Sequence, residues 1–199
     1  MVDDQELDDA VVRFDGTTIA IHWITLLLIV AVFATAWAHA AAEGGAQAAA
    51  LLAAHRSLGL LIWLLTIARL GWRWTRGSHP PLPDTVSAPQ LWAARATEYA
   101  LYALLAIQPL TGLAQSLFRG RPFDLIVGTI PALVTRDRGL VARFGDLHTE
   151  ASWLLLGLIG LHALAALAHR FVFKDQVLQS ILPWRPQADL PTNFSEATE

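Results

Sequence analysis

This chain of 199 residues has seven histidines and no cysteine. Without thiols there is no disulfide, thiolate zinc site or iron–sulfur cluster, and neutral imidazole is left as the main metal ligand. His22, His55, His148 and His162 lie within long apolar runs. Polar groups are costly inside a membrane, and those found there usually have a task. His148 and His162 are fourteen residues apart in LHTEASWLLLGLIGLHALAALAHR. At ~100° per residue they fall within roughly 40° of one helix face, about 21 Å apart along the axis. One helix therefore offers an imidazole near each side of a bilayer. His169 follows seven residues later on nearly the same face, where it could hydrogen-bond a quinone carbonyl or a propionate. No HExxH helix, Gly-rich phosphate loop or Ser-His-Asp arrangement is evident.

The composition calls for a membrane protein. The chain is 54% hydrophobic and 16% charged, with a mean hydropathy of +0.43. That is too apolar for an ordinary soluble domain and fits several spans. Four are expected, at about Thr18–His39, Ala49–Trp72, Thr97–Phe118 and residues 147–173. Residues 1–15 and 186–199 read as polar tails flanking a single unit over 16–185. A signal-peptide reading of the first span, with Ala38-His39-Ala40 as cleavage site, is disfavoured by the acidic leader and by His22 inside the run. Residues 75–90 hold four prolines and read as a loop carrying His79. Pro109 and Gly112 point to a kink or close packing in span three. In the connection 119–146, FDLIVGTIPALV is apolar but too short to cross, and is expected to cover the end of the bundle. His39, at a span end, needs no ligand role.

Four spans put both termini on one side. Eight Lys or Arg fall on that side (Arg13, Arg69, Arg73, Arg76, Arg95, Arg170, Lys174, Arg185) and six on the other (Arg56, Arg119, Arg121, Arg136, Arg138, Arg143). This excess favours cytoplasmic termini. The basic residues are scattered and the net charge is -3, so nucleic-acid binding has no support.

Depth then sorts the four histidines into two pairs: His22 with His162 toward the termini, and His55 with His148 toward the other face. Paired neutral imidazoles on facing helices, without thiolates or a carboxylate cluster, suit bis-histidine haem. Two such pairs would hold two b-type haems, one above the other. No C-x-x-C-H motif is present to attach them covalently. Gly59, on the face of His55, and Gly157 and Gly160 could make room for a porphyrin or merely allow tight helix packing. The expected fold is all-α: an integral membrane four-helix bundle enclosing two haems.

These residues resemble the bacterial cytochrome b561 family, small di-haem membrane cytochromes related to the b-type subunits of nickel–iron hydrogenases. The resemblance runs over about residues 13–185. It is carried by Ile21-His22-Trp23, by His55-Arg-Ser-Leu-Gly59 with Arg69, by PLTGLAQSLFRGRPF, and by the span-four run with FKD at 173–175. It implies that His22/His162 and His55/His148 are axial ligand pairs, and that Arg56, Arg69 and Arg73 are candidate propionate partners. It also implies a bacterial inner-membrane protein exchanging electrons between the quinone pool and a periplasmic partner. One type in the family resembles a superoxide:ubiquinone oxidoreductase, and His169 matches its suspected quinone contact. Arg136, Arg138 and Arg143 could steer an anion such as superoxide, although ordinary loop charge balanced by Asp137 and Asp146 is the plainer reading. The alternatives are a membrane anchor or relay subunit of a dehydrogenase or hydrogenase complex, and a haem-free histidine-lined transporter.

Overall fold

The computed structural model describes residues 13–76 and 87–183. His79, Arg185, residues 1–12 of the first proposed tail and all of the second lie outside them. Four helices dominate: α1 (Gly16–Ala41), α2 (Gly45–Thr75), α3 (Ala88–Phe118) and α4 (Arg138–Ala168). A five-residue π-helical turn, His169–Phe173, extends α4. All four are long and apolar enough to cross a bilayer. Large apolar side chains stand exposed around the bundle, Leu27 at 68% and Leu164 at 66% among them. In water they would be a liability; in lipid they are the expected outer coat.

The helix starts follow local chemistry. Asp15 caps α1 by accepting from the Thr18 N–H at 2.9 Å. Ser87 and Gln90 form a capping box at the start of α3, with Pro89 in its first turn. Asp137 caps α4, accepting from the Leu140 N–H at 2.9 Å. α3 and α4 therefore begin about nine residues before their apolar spans. Hydropathy marks what lies in lipid, whereas caps mark where the helix begins.

Between α3 and α4, FDLIVGTIPALV folds in part into a hairpin, β1 (Phe123–Leu125) and β2 (Gly128–Ile130), paired antiparallel. Phe123 is buried, Arg56 lies 5.2 Å from its ring centre, and the Ile126 N–H donates to Ser57 Oγ at 2.9 Å. The hairpin thus packs on the N-terminal half of α2, at Arg56 and Ser57, rather than over the end of the bundle alone. The two-residue turn itself was not foreseen.

α1 packs chiefly on α2 and α3 chiefly on α4, while the α2–α3 contact joins the two hairpins of helices. The first and last helices make no comparable contact. The buried centre is one layer of Ile29, Ile62, Leu105 and Leu155. Leu155 stands seven residues from both His148 and His162, and Ile62 seven from His55. The layer therefore lies midway between the histidine levels, about 10 Å from each.

Candidate functional site

Across the gap between α1 and α4, the rings of His22 and His162 face each other with centroids 6.5 Å apart. At the other level, His55 on α2 faces His148 on α4 with centroids 6.1 Å apart. A metal bound between two imidazoles, at about 2 Å to each nitrogen and about 1 Å further to each ring centre, needs roughly 6 Å. Both pairs have that spacing. Depth along the spans gives the same two pairs.

Backbone carbonyls orient the outer pair. His55 Nδ1–H donates to the Val32 carbonyl of α1 at 2.9 Å. His148 Nδ1–H donates to the Gln108 carbonyl of α3 at 3.0 Å, and Thr111 Oγ lies 3.0 Å from the same nitrogen. Such bonds fix the tautomer and leave the Nε2 lone pair for a metal. Gln108 also donates through Nε2 to the His148 carbonyl at 2.7 Å, while its Oε1 is buried without a partner. Gly112 makes this approach possible, because a Cβ there would come within 2.9 Å of His148 Cε1. The close packing expected around Pro109 and Gly112 thus has a specific beneficiary. Val32, Gln108 and Thr111 were missed in the sequence. Only the polar pair inside the apolar PLTG surroundings marked two of them.

The inner pair sits in a charged setting. Arg69 Nη2 is 3.5 Å from His22 Nδ1. The guanidinium carbons of Arg69 and Arg73 lie 5.3 and 6.0 Å from the Tyr102 ring centre. Arg73 also forms an ion pair with Glu98. Glu98 is thus engaged within the bundle end, and Tyr102 is a further residue the sequence did not single out. Arg56 donates through Nε to Ser116 Oγ at 3.2 Å. Arg69 therefore stands beside the inner pair, and Arg56 follows His55 in the chain. Arg73 lies further toward the bundle end. His169 is not at either pair, and its Nδ1 lies 2.6 Å from Asp175 Oδ2. His39 lies 2.9 Å from the Ala48 carbonyl, in keeping with a structural role.

The glycines divide. A Cβ at Gly59 would meet nothing within 4 Å, so this position leaves open space on the face of His55. Gly157 and Gly160 are equally open but exposed. At ~100° per residue they point well away from His162. Among the described residues no cluster of three His, Cys, Asp or Glu could hold a metal by itself. A group bringing its own equatorial ligands, as a porphyrin does, needs only two.

Comparison with known proteins gives the family. Residues 13–184 match prokaryotic cytochrome b561. Cytochrome b561 homolog 1 of Escherichia coli (strain K12) is 30% identical over 176 residues, covering 87% of this chain and 98% of the relative. Cytochrome b561 homolog 2 of the same organism is 30% identical over 183 residues, covering 85% and 91%. A Yersinia pestis protein named "Probable superoxide oxidase CybB" is 28% identical over 174 residues, covering 86% and 96%. The chain belongs to the prokaryotic cytochrome b561 family of multi-pass membrane electron-transfer proteins that use b-type haem.

Proposed function

We propose that this chain is a di-haem cytochrome b that carries electrons across the bacterial inner membrane. On this reading His22 and His162 hold the haem nearer the termini, and His55 and His148 the other. The observation that carries it is the pair of facing imidazole couples at 6.5 and 6.1 Å, one on either side of an apolar layer. Each b haem supplies a one-electron couple when bound. The protein contributes the rest. The Val32 and Gln108 carbonyls hold the outer imidazoles with Nε2 free. The layer of Ile29, Ile62, Leu105 and Leu155 keeps water and ions out of the path. Arg56, Arg69 and Arg73 are the candidate partners for propionates. Termini in the cytoplasm follow from the arginine and lysine excess, and residues 16–185 form the functional unit.

The quinone pool is the proposed partner at the inner end, with ubiquinone the proposed quinone. His169, held by Asp175, is the candidate to hydrogen-bond it there. The name of the Yersinia pestis relative makes superoxide the candidate donor outside. The balanced reaction is two superoxide plus quinone plus two protons, giving two dioxygen plus quinol.

The test is a reduced-minus-oxidised visible spectrum with haem counted per chain. A bis-histidine α-band at about two haems per chain is expected. A colourless protein, expressed with adequate haem, would leave the histidine-lined transporter in its place. Superoxide-dependent quinol formation by the purified protein then tests the substrate assignment against the relay-subunit alternative.

A further inference from the structure

The end of the bundle opposite the termini holds a group of cations. Arg119, Arg121, Arg136 and Arg138, with Val141 and Ala142, line an open cleft of about 400 Å³. Among the described residues none of these arginines has a carboxylate within ion-pair distance. Two carboxylates stand near them: Asp137, which caps α4 between Arg136 and Arg138, and Asp124, which accepts from Thr129 Oγ at 2.6 Å and lines a neighbouring cleft with Arg119 and Arg121. The loop-charge balance expected from Asp137 and Asp146 thus involves no direct ion pair to Arg136 or Arg138 among the described residues.

The convergence is built by the backbone. The Asp137 N–H donates to the Phe118 carbonyl at 3.0 Å, clamping the segment before α4 onto the end of α3. Gly120, at φ +64°, lets the two segments touch, since a Cβ there would lie 2.5 Å from the Arg136 nitrogen. Two arginines thus flank Gly120 and two flank Asp137, and the clamp sets all four around one cleft. Four guanidiniums against two nearby carboxylates leave the cleft net positive, and guanidinium forks match a phosphate oxygen pair closely. Between Arg121 and Arg136 in the chain, the hairpin turn presents Ile126 and Val127 at 69% and 91% exposure, and Leu133 follows at 66%. Exposed apolar side chains and a cationic cleft in one connection between membrane-spanning helices fit a ligand with an anionic head and an apolar tail.

We propose that this cleft binds the phosphate of an anionic membrane phospholipid, with the hairpin tip seated against its acyl chains. The proposal does not depend on the haem assignment. It is tested on the full-length haem-loaded protein by native mass spectrometry after exchange with phosphatidylglycerol or phosphatidylcholine, with inorganic phosphate as a separate probe in detergent. Retained phosphatidylglycerol in preference to phosphatidylcholine is expected. The exposed pair Arg136→Gln/Arg138→Gln should weaken that retention at least about tenfold. Gly120→Ala keeps every charge but forces the segments apart, and should weaken it too. Equal retention of the two lipids, or full retention by the double variant, overturns the proposal. Saturable inorganic phosphate binding without a lipid preference also overturns it, and gives the cleft to a free anion instead.

Discussion

His148 depends on a position that carries no side chain. Gly112 leaves room for its ring, and the Gln108 carbonyl with Thr111 holds its Nδ1. Gly112→Ala places a methyl 2.9 Å from Cε1 and should displace the ring. Haem per chain, measured by pyridine haemochrome, should fall from about two toward about one, the outer haem being lost. A Gly112→Ala protein that keeps its full haem would show that the ring can retreat without losing the metal. Asp15 works on another residue-scale quantity, accepting from both the N–H and the hydroxyl of Thr18 and from Trp72 Nε1 at 3.0 Å. Asp15→Ala should cost about 1 kcal/mol, read as a lower midpoint of thermal unfolding in detergent with haem content unchanged.

At the scale of the element, α4 faces three partners in turn. Its first turns meet α3 through His148 and through the stacked rings of Phe144 and Phe118, 5.7 Å apart at 3°. Its middle meets the central layer through Leu155, 4% exposed. Its last turns face α1 through His162. The consequences of mutation should change along it. Leu155→Ala removes packing with no ligand role, so it should lower stability by roughly 2 kcal/mol while both haems stay bound. Equal haem loss from Leu155→Ala and His162→Ala would mean that the layer, rather than the imidazole, is what holds the group. The reach of α4 was partly legible. The heptad spacing of His148, Leu155 and His162 fixes one face, but the start at Arg138 was not foreseen, because the first two turns are too polar to register as a span. The cap at Asp137 was the available signal.

At the scale of the molecule, the two histidine pairs make separable predictions. His55→Ala and His148→Ala should each lose the same haem, and His22→Ala and His162→Ala the other, distinguishable by the spectrum of what remains. Loss of both haems from every variant would undo the pairing. The terminal segments are also joined at one end: Trp23 Nε1 donates to the Ile181 carbonyl at 2.8 Å, and the Phe14 N–H to the Ser180 carbonyl at 3.2 Å. Some of this follows from sequence alone. Hydropathy counts residues against the thickness of lipid, so it gives four spans. Depth along each span depends only on the rise per residue, so His22, His55, His148 and His162 could be sorted into levels without knowing how the helices pack. Packing decided the rest. Which carbonyl meets which imidazole, as Val32 meets His55, depends on helix rotation and crossing, which no local pattern encodes. Arg119, Arg121, Arg136 and Arg138 read as scattered charges until a tertiary backbone contact at Gly120 and Asp137 gathers them around one cleft. Periodicity and length are local quantities, carried by the chain itself, whereas facing rings and converging charges exist only between segments.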